Sequence, residues 1–282
     1  MRPTPMPSTS NPLSWLEPLL TRAATLSNDA TPSVAPEELY LGIDLGTSDV
    51  VTMAVDAQGT PMAVCLEWAD VVRDGVVLNF IEAVRIVRKQ LAQIESQLGR
   101  SFTHAATSFP PGTDPRISAN VIEAAGLQVS EIIDEPTAVA RLLGISQGAV
   151  VDIGGGTTGV ALIENGKVVY SGDEATGGHH VTLCLAGALK TTIEAAQKFK
   201  HEQGQEAWSI ARPVFEKMTD IVQSHIGTRV PVKTLYLSGG SCALPGVQSL
   251  FSQAFPGIEV ILPQPCLYLT PLAIASSARS AR

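Results

Sequence analysis

The sequence predicts an α/β protein made of two duplicated α/β domains that face each other across a cleft. Three observations predict it. A block of strands followed by helices occurs twice along the chain. Each block opens on a glycine-tipped loop that begins with Asp: LGIDLGTSDV (41–50) and AVVDIGGGTTGV (149–160), about a hundred residues apart. The 282 residues are 45% hydrophobic and only 16% charged, which suits a packed chain with a sizeable core and not a disordered one.

The elements follow in order. Residues 1–36 are rich in Pro, Ser and Thr and carry little charge, the composition of a mostly mobile segment. Within it, residues 14–26 place Leu16, Leu19, Leu20 and Ala23 on one face of a short amphipathic helix. That helix either docks on its own domain or binds a partner. LYLGIDL (39–45), VVTMAVD (50–56) and PMAVCLE (61–67) read as three strands, with turns at GTS and AQG. Residues 79–98 repeat apolar side chains at helical spacing, and the RIVRK cluster (85–89) is the solvated face of that helix. A strand at 104–109 ends in PPGTDP. A helix at 117–125 is closed by Gly126, a strand spans 129–133, and a helix at 136–143 carries Pro136 in its first turn. The opening pattern then returns. Strands at 149–153, 158–164 and 167–173 are joined by GGGT and NGK, and Asn165-Gly166 is a strong hairpin signal. A Gly-Gly turn precedes a helix at 183–191, and helix continues from 193 to 226. A strand (234–237), the turn SGGS, a helix (245–254), a strand (258–262) and a last helix from Pro271 complete the chain.

Composition excludes several function classes. Nineteen basic against 27 acidic residues leave a net charge of −8, with no basic stripe for nucleic acid. No apolar run reaches transmembrane length, and the first residues lack the basic start and apolar run of a signal peptide, so no membrane role is expected and a cytoplasmic protein is. Cys65, Cys184, Cys242 and Cys266 lie far apart, as reduced, mostly buried thiols do. The pair His179-His180 has no Cys or further His at ligand spacing and reads as the start of a helix.

The two loops carry the chemistry. Glycine turns at Gly46 and at Gly154, Gly155 and Gly156 let backbone N–H groups approach an oxyanion without a Cβ in the way. The hydroxyls of Thr47, Ser48, Thr157 and Thr158 add donors. Asp44 and Asp152 would repel a bare phosphate, so their natural partner is Mg²⁺ or its bound water. Two such loops can clamp one triphosphate from both sides. Glu135 opens a helix, where its charge either favours the helix dipole or serves the site. Ser238, Gly239, Gly240 and Ser241 form a strand–helix turn bare enough for a nucleoside to lie against, or a plain connection. Gln197 and Lys200 either reach a ribose or form a solvated helix face.

Five motifs in this order resemble the actin, DnaK-type chaperone and sugar-kinase superfamily. They are IDLGTS (43–48), DEPTAVA (134–140), DIGGGTT (152–158), LYLSGGSC (235–242) and TPLAIA (270–275), and they span nearly the whole chain after residue 40. EPTA and DIGGGTT are closer to DnaK-type chaperones than to actins or sugar kinases. ADVVRDG, HAATSFPPGTDPRIS, DEATGGHH and TPLAIASS resemble a family of ethanolamine-utilisation proteins. The resemblance implies two actin-like (ribonuclease-H-like) domains, 37–147 and 148–282, flanking a nucleotide cleft, with the last helix (about 270–282) packed back on the first. It implies ATP and Mg²⁺ as ligands, Asp44 and Asp152 holding the metal largely through water, and Glu135 orienting the attacking water. It also implies a slow ATPase with chaperone-like action on ethanolamine ammonia-lyase or on microcompartment proteins. An actin-like scaffold or filament is the alternative, and a small-molecule kinase a weaker one. The chain departs from the DnaK pattern at Gly159, where those proteins usually have Asp, and at Ser48-Asp49. It also shows no equivalent of their phosphate-contacting lysine.

Overall fold

The computed structural model describes residues 13–73, 76–227 and 229–280. Among these, α1 (Leu16–Leu26) leads into β1 (Leu39–Leu45), β2 (Asp49–Asp56), β3 (Pro61–Trp68) and a minimal pair, β4 (Val72–Arg73) and β5 (Val76–Val77). Then come α2 (Phe80–Leu98), β6 (His104–Phe109), α3 (Arg116–Ala124), β7 (Gln128–Asp134) and α4 (Glu135–Leu143). The second half runs β8 (Gly148–Ile153), β9 (Thr158–Glu164), β10 (Lys167–Glu174), α5 (Gly178–Leu189), α6 (Ile193–Glu202) and α7 (Gly204–Ile226). It ends with β11 (Thr234–Ser238), α8 (Val247–Ala254), β12 (Glu259–Ile261) and α9 (Leu269–Ser277).

The duplication is visible strand by strand. One sheet has the order β3-β2-β1-β6-β7 and the other β10-β9-β8-β11-β12. In each, the first three strands are an antiparallel meander and the last two run parallel to its first strand. The parallel additions require crossovers, supplied by α2 and α3 in one half and by α5 to α8 in the other.

Three apolar clusters stack through the molecule. The outer ones pack α2 and α3 on one sheet, and α5, α7 and α8 on the other. The middle one lies between the sheets. It joins Val51, Met53 and Ile133 of the first to Val150, Ala161 and Ile163 of the second through α4 and α9. α9 approaches β1 so closely that a Cβ on Gly42 would strike the backbone of Ala275.

α1 belongs to this middle cluster. Leu16, Leu20 and Ala23 are fully buried in it, while Leu19 is only partly so. Arg22 Nε donates to the Pro61 carbonyl at 2.6 Å. Asn28 then covers the edge of β3: its N–H donates to Val64 O at 2.8 Å, and its side chain exchanges bonds of 3.0 and 2.9 Å with Leu66. For residues 13–29 the structure therefore shows a docked element where composition suggests mobility, because three apolar side chains outweigh a polar, Pro-rich average. The preceding residues, 1–12, lie outside the described ones.

Smaller differences have local causes. α5 begins at Gly178, five residues before the predicted start, since the Gly-Gly pair opens the helix and does not precede it. The long helix predicted from 193 breaks at Gln203, whose φ of −124° and ψ of 51° are not helical. α9 starts at Leu269, so Pro271 sits in its first turn, where a missing N–H costs no hydrogen bond.

Candidate functional site

Both Asp-Gly loops are hairpin tips at equivalent places, β1–β2 and β8–β9, and they meet across the cleft. A Cβ on Gly155 would strike Ser48 of the facing loop, and one on Gly156 would lie 3.3 Å from Thr47 Cβ. Loop two is braced from behind. Gly154 N donates to Thr157 O at 3.1 Å, Gly178 N to Gly154 O at 2.9 Å, and His179 N to Gly155 O at 2.6 Å. Ser241 Oγ adds a bond of 2.8 Å to Gly154 O. The glycine pair is required here, because a Cβ on Gly177 would sit 2.7 Å from the backbone of Gly156 and Thr157.

Three carboxylates converge. Asp44 is 9% exposed and accepts from Ser108 Oγ at 3.2 Å. Asp152 is 4% exposed, and its Oδ2 accepts from Ser238 Oγ at 2.8 Å and from Thr270 Oγ1 at 2.5 Å. Glu135 opens α4 directly after Asp134, whose Oδ1 caps the helix by accepting from Thr137 N at 3.1 Å and also takes Ser171 Oγ at 2.9 Å. Burial raises the pKa of Asp44 to about 8, with Asp49 and Asp152 adding repulsion and Ser108 opposing. Burial lifts Glu135 well above the carboxylate range, reinforced by Asp44 and Asp152. Asp152 is raised by burial against the two hydroxyls that favour its charge.

The remaining wall comes from α6 and the turn after β11. Lys200 Nζ donates to Gly178 O at 3.1 Å and Thr182 Oγ1 at 2.9 Å. Burial pulls its pKa down to about 8, opposed by Asp49, which burial itself pushes up to about 6. Gln197 Oε1 accepts from Thr182 Oγ1 at 2.6 Å. Gly239, at φ 90°, packs on the backbone of Ile153, where a Cβ would come within 2.6 Å of its carbonyl carbon.

The cleft holds about 250 Å³. Asp44, Gly46, Thr47, Ser48 and Glu135 line one side. Asp152, Gly154, Gly155, Gly156 and Thr157 face them, and Gln197, Lys200, Gly239, Gly240 and Ser241 complete the wall. Two predicted residues stand behind it. Thr158 is fully buried and donates to Thr176 O at 2.6 Å; Ser238 is fully buried and serves Asp152 and Thr270. Thr158 is the first residue of β9 and its side chain turns onto the Thr176 carbonyl, whereas Thr157 still belongs to the loop. Asp49, Trp68, Gly178, His201, Leu267 and Thr270 also line the cleft, though sequence reasoning assigned them no site role. Asp49 was legible, since it directly follows loop one. Trp68 and His201 meet only in space.

The donor set fits a hydrated divalent cation. Two facing carboxylates, with hydroxyls around them, suit Mg²⁺ held through water. Among the described residues no group of three or more His, Cys, Asp or Glu converges tightly enough to hold a metal directly. Burial raises these carboxyls first, and their mutual repulsion adds to it.

Residues 149–277 match the family model described as Cell division protein FtsA. The Ethanolamine utilization protein EutJ of Escherichia coli (strain K12) is 58% identical over 265 residues, covering 94% of this chain and 95% of that protein. This chain belongs to the EutJ family. A crystal structure of the EutJ from Carboxydothermus hydrogenoformans superposes with a TM-score of 0.87 at 42% identity, over 93% of this chain and 98% of that one. MreB5 of Spiroplasma citri bound to AMPPNP shares the fold alone, with a TM-score of 0.63 at 16% identity over 84% of this chain and 95% of that one. The FtsA match over the second half and the MreB5 superposition agree on an actin-like fold for this family.

Proposed function

We propose that this chain binds ATP with Mg²⁺, hydrolyses it slowly, and acts as a chaperone-like or reactivating factor in ethanolamine utilisation. Its partner would be ethanolamine ammonia-lyase or a microcompartment protein, in the cytoplasm. The observation that carries the nucleotide reading is the meeting of the two Asp-Gly loops across the cleft with Glu135 beside both aspartates. Kinship with proteins named for ethanolamine utilisation supports the setting.

The residues divide the work. Asp44 and Asp152 would hold Mg²⁺ through water, with Ser108, Ser238 and Thr270 fixing their orientation by hydrogen bonds. Bound there, the metal would offset charge building on the terminal phosphoryl group. The glycine turns present backbone to the phosphates, and Lys200 and Gln197 flank the nucleoside side. Glu135, whose carboxyl burial makes more basic than usual, would orient a water and accept its proton. Gly159 packs 3.5 Å, by its would-be Cβ, from Pro136 and supplies no carboxylate, which agrees with slow turnover.

Calorimetric titration with Mg-ATP, phosphate release, and capture of the lyase by the purified protein test the proposal. Saturable ATP binding, slow release and nucleotide-dependent capture are expected. No affinity at millimolar Mg-ATP overturns the nucleotide reading. ATP-dependent pelleting without capture favours a scaffold instead.

A further inference from the structure

At the mouth of the cleft the two halves touch through groups that phosphate binding does not use. Trp68 ends β3 on the first half and is 51% exposed. His201 lies in the last turn of α6 on the second half and is also exposed. Their ring centroids are 4.9 Å apart and their planes tilted by 52°. Both rings line the cleft. Beside them stands a second cross-cleft pair. Asp49 is the cross-strand partner of Trp68, so the two share a face of the sheet, and Lys200 precedes His201. Asp49 and Lys200 attract one another across the cleft, while Lys200 Nζ donates to Gly178 O and Thr182 Oγ1.

At the base of the cleft the halves are joined by α4, α9 and the Ser171–Asp134 bond. Those contacts can persist when the walls part. The rim pair cannot, because each ring belongs to a different wall. Trp68 also borders a second cavity, beside Cys65, Glu67, Lys89 and Gln93, into which the indole could swing.

We infer that Trp68 and His201 form a clasp across the mouth of the cleft that retains bound nucleotide and sets the rate at which it leaves. The inference rests on the nucleotide reading above. An aromatic pair of this kind is worth a factor of about two to ten in an equilibrium. Because both side chains are exposed, replacing them leaves the core packing alone.

The test uses the full chain with Mg²⁺ and a methylanthraniloyl-labelled ATP, chased with unlabelled ATP in a stopped-flow instrument. Trp68→Leu and His201→Ala should each release the label about three- to tenfold faster, at a nucleotide-free melting temperature within about 3 °C of the parent's. The double variant should be no faster than the faster single, since losing either ring already opens the clasp. His201→Phe, which keeps a ring, should restore slow release. Unchanged release in both single variants, or effects that multiply in the double, overturns the clasp while leaving nucleotide binding intact. Failure of the parent to bind the label overturns the nucleotide reading itself.

Discussion

Glu135 shows how much one residue's setting matters. Its carboxylate sits at the start of α4, half-buried beside Asp44 and Asp152. If it orients water, Glu135→Gln should lower phosphate release at least about a hundredfold and change ATP affinity by less than about threefold. An equal loss of affinity and turnover, measured by titration and phosphate assay, would assign it to binding. Gly155 makes a complementary point. Its backbone is not in the left-handed region, so a side chain there is excluded by Ser48 of the facing loop and not by conformation. Gly155→Val should therefore hold the loops apart, costing about 1–3 kcal/mol of stability and abolishing ATP binding. Tight binding by this variant, with an unchanged melt, would show that the loops need not meet.

At the scale of elements, α1 is the informative case. It contributes Leu16, Leu20 and Ala23 to the cluster between the two sheets, and Asn28 then pairs with the edge of β3. Leu16→Ala and Leu20→Ala should each cost about 2–5 kcal/mol in denaturant unfolding, as buried large-to-small changes do. Changes below about 0.5 kcal/mol would mean the helix is detachable, and a partner-binding role for it would return. α5 has a parallel duty. Its first two N–H groups are spent on Gly154 and Gly155 carbonyls, so its N-terminus shapes loop two.

Across the whole molecule, two halves that share a cleft lined with acid groups should respond to pH and to ligand together. Asp44 at about 8 and Asp49 at about 6 lie above ordinary carboxylate values, so the folded protein keeps protons that the unfolded chain releases. The stability they contribute is complete below about pH 4 and is lost as pH rises through 6 and 8. Thermal melts of the metal-free protein should thus fall between pH 5 and pH 8.5, and Asp44→Asn should flatten the decline. A flat or rising profile in the parent protein counts against these shifts. Mg-ATP at a hundredfold excess over its dissociation constant should add about 2.7 kcal/mol, or roughly 5 °C in melting temperature. A melt indifferent to millimolar Mg-ATP would remove the ligand from the cleft.

The sequence by itself determined the strand–helix order, the duplication and most of the cleft's phosphate side. Those features are written locally: period-two runs in β1 to β3 and β8 to β10, a glycine tip in each loop, and Asp134 capping α4 ahead of Pro136. Tertiary structure alone decided which neighbours a given face would find. The apolar stripe of α1 is the same whether it meets a partner or its own sheets, and only packing placed it between them. Ser238 and Thr158 look like ligand donors in a motif, yet their side chains turn onto Asp152 and Thr176. Trp68 and His201, more than a hundred residues apart, carry no shared signal in the chain; they meet because two sheets of like topology face each other across one cleft.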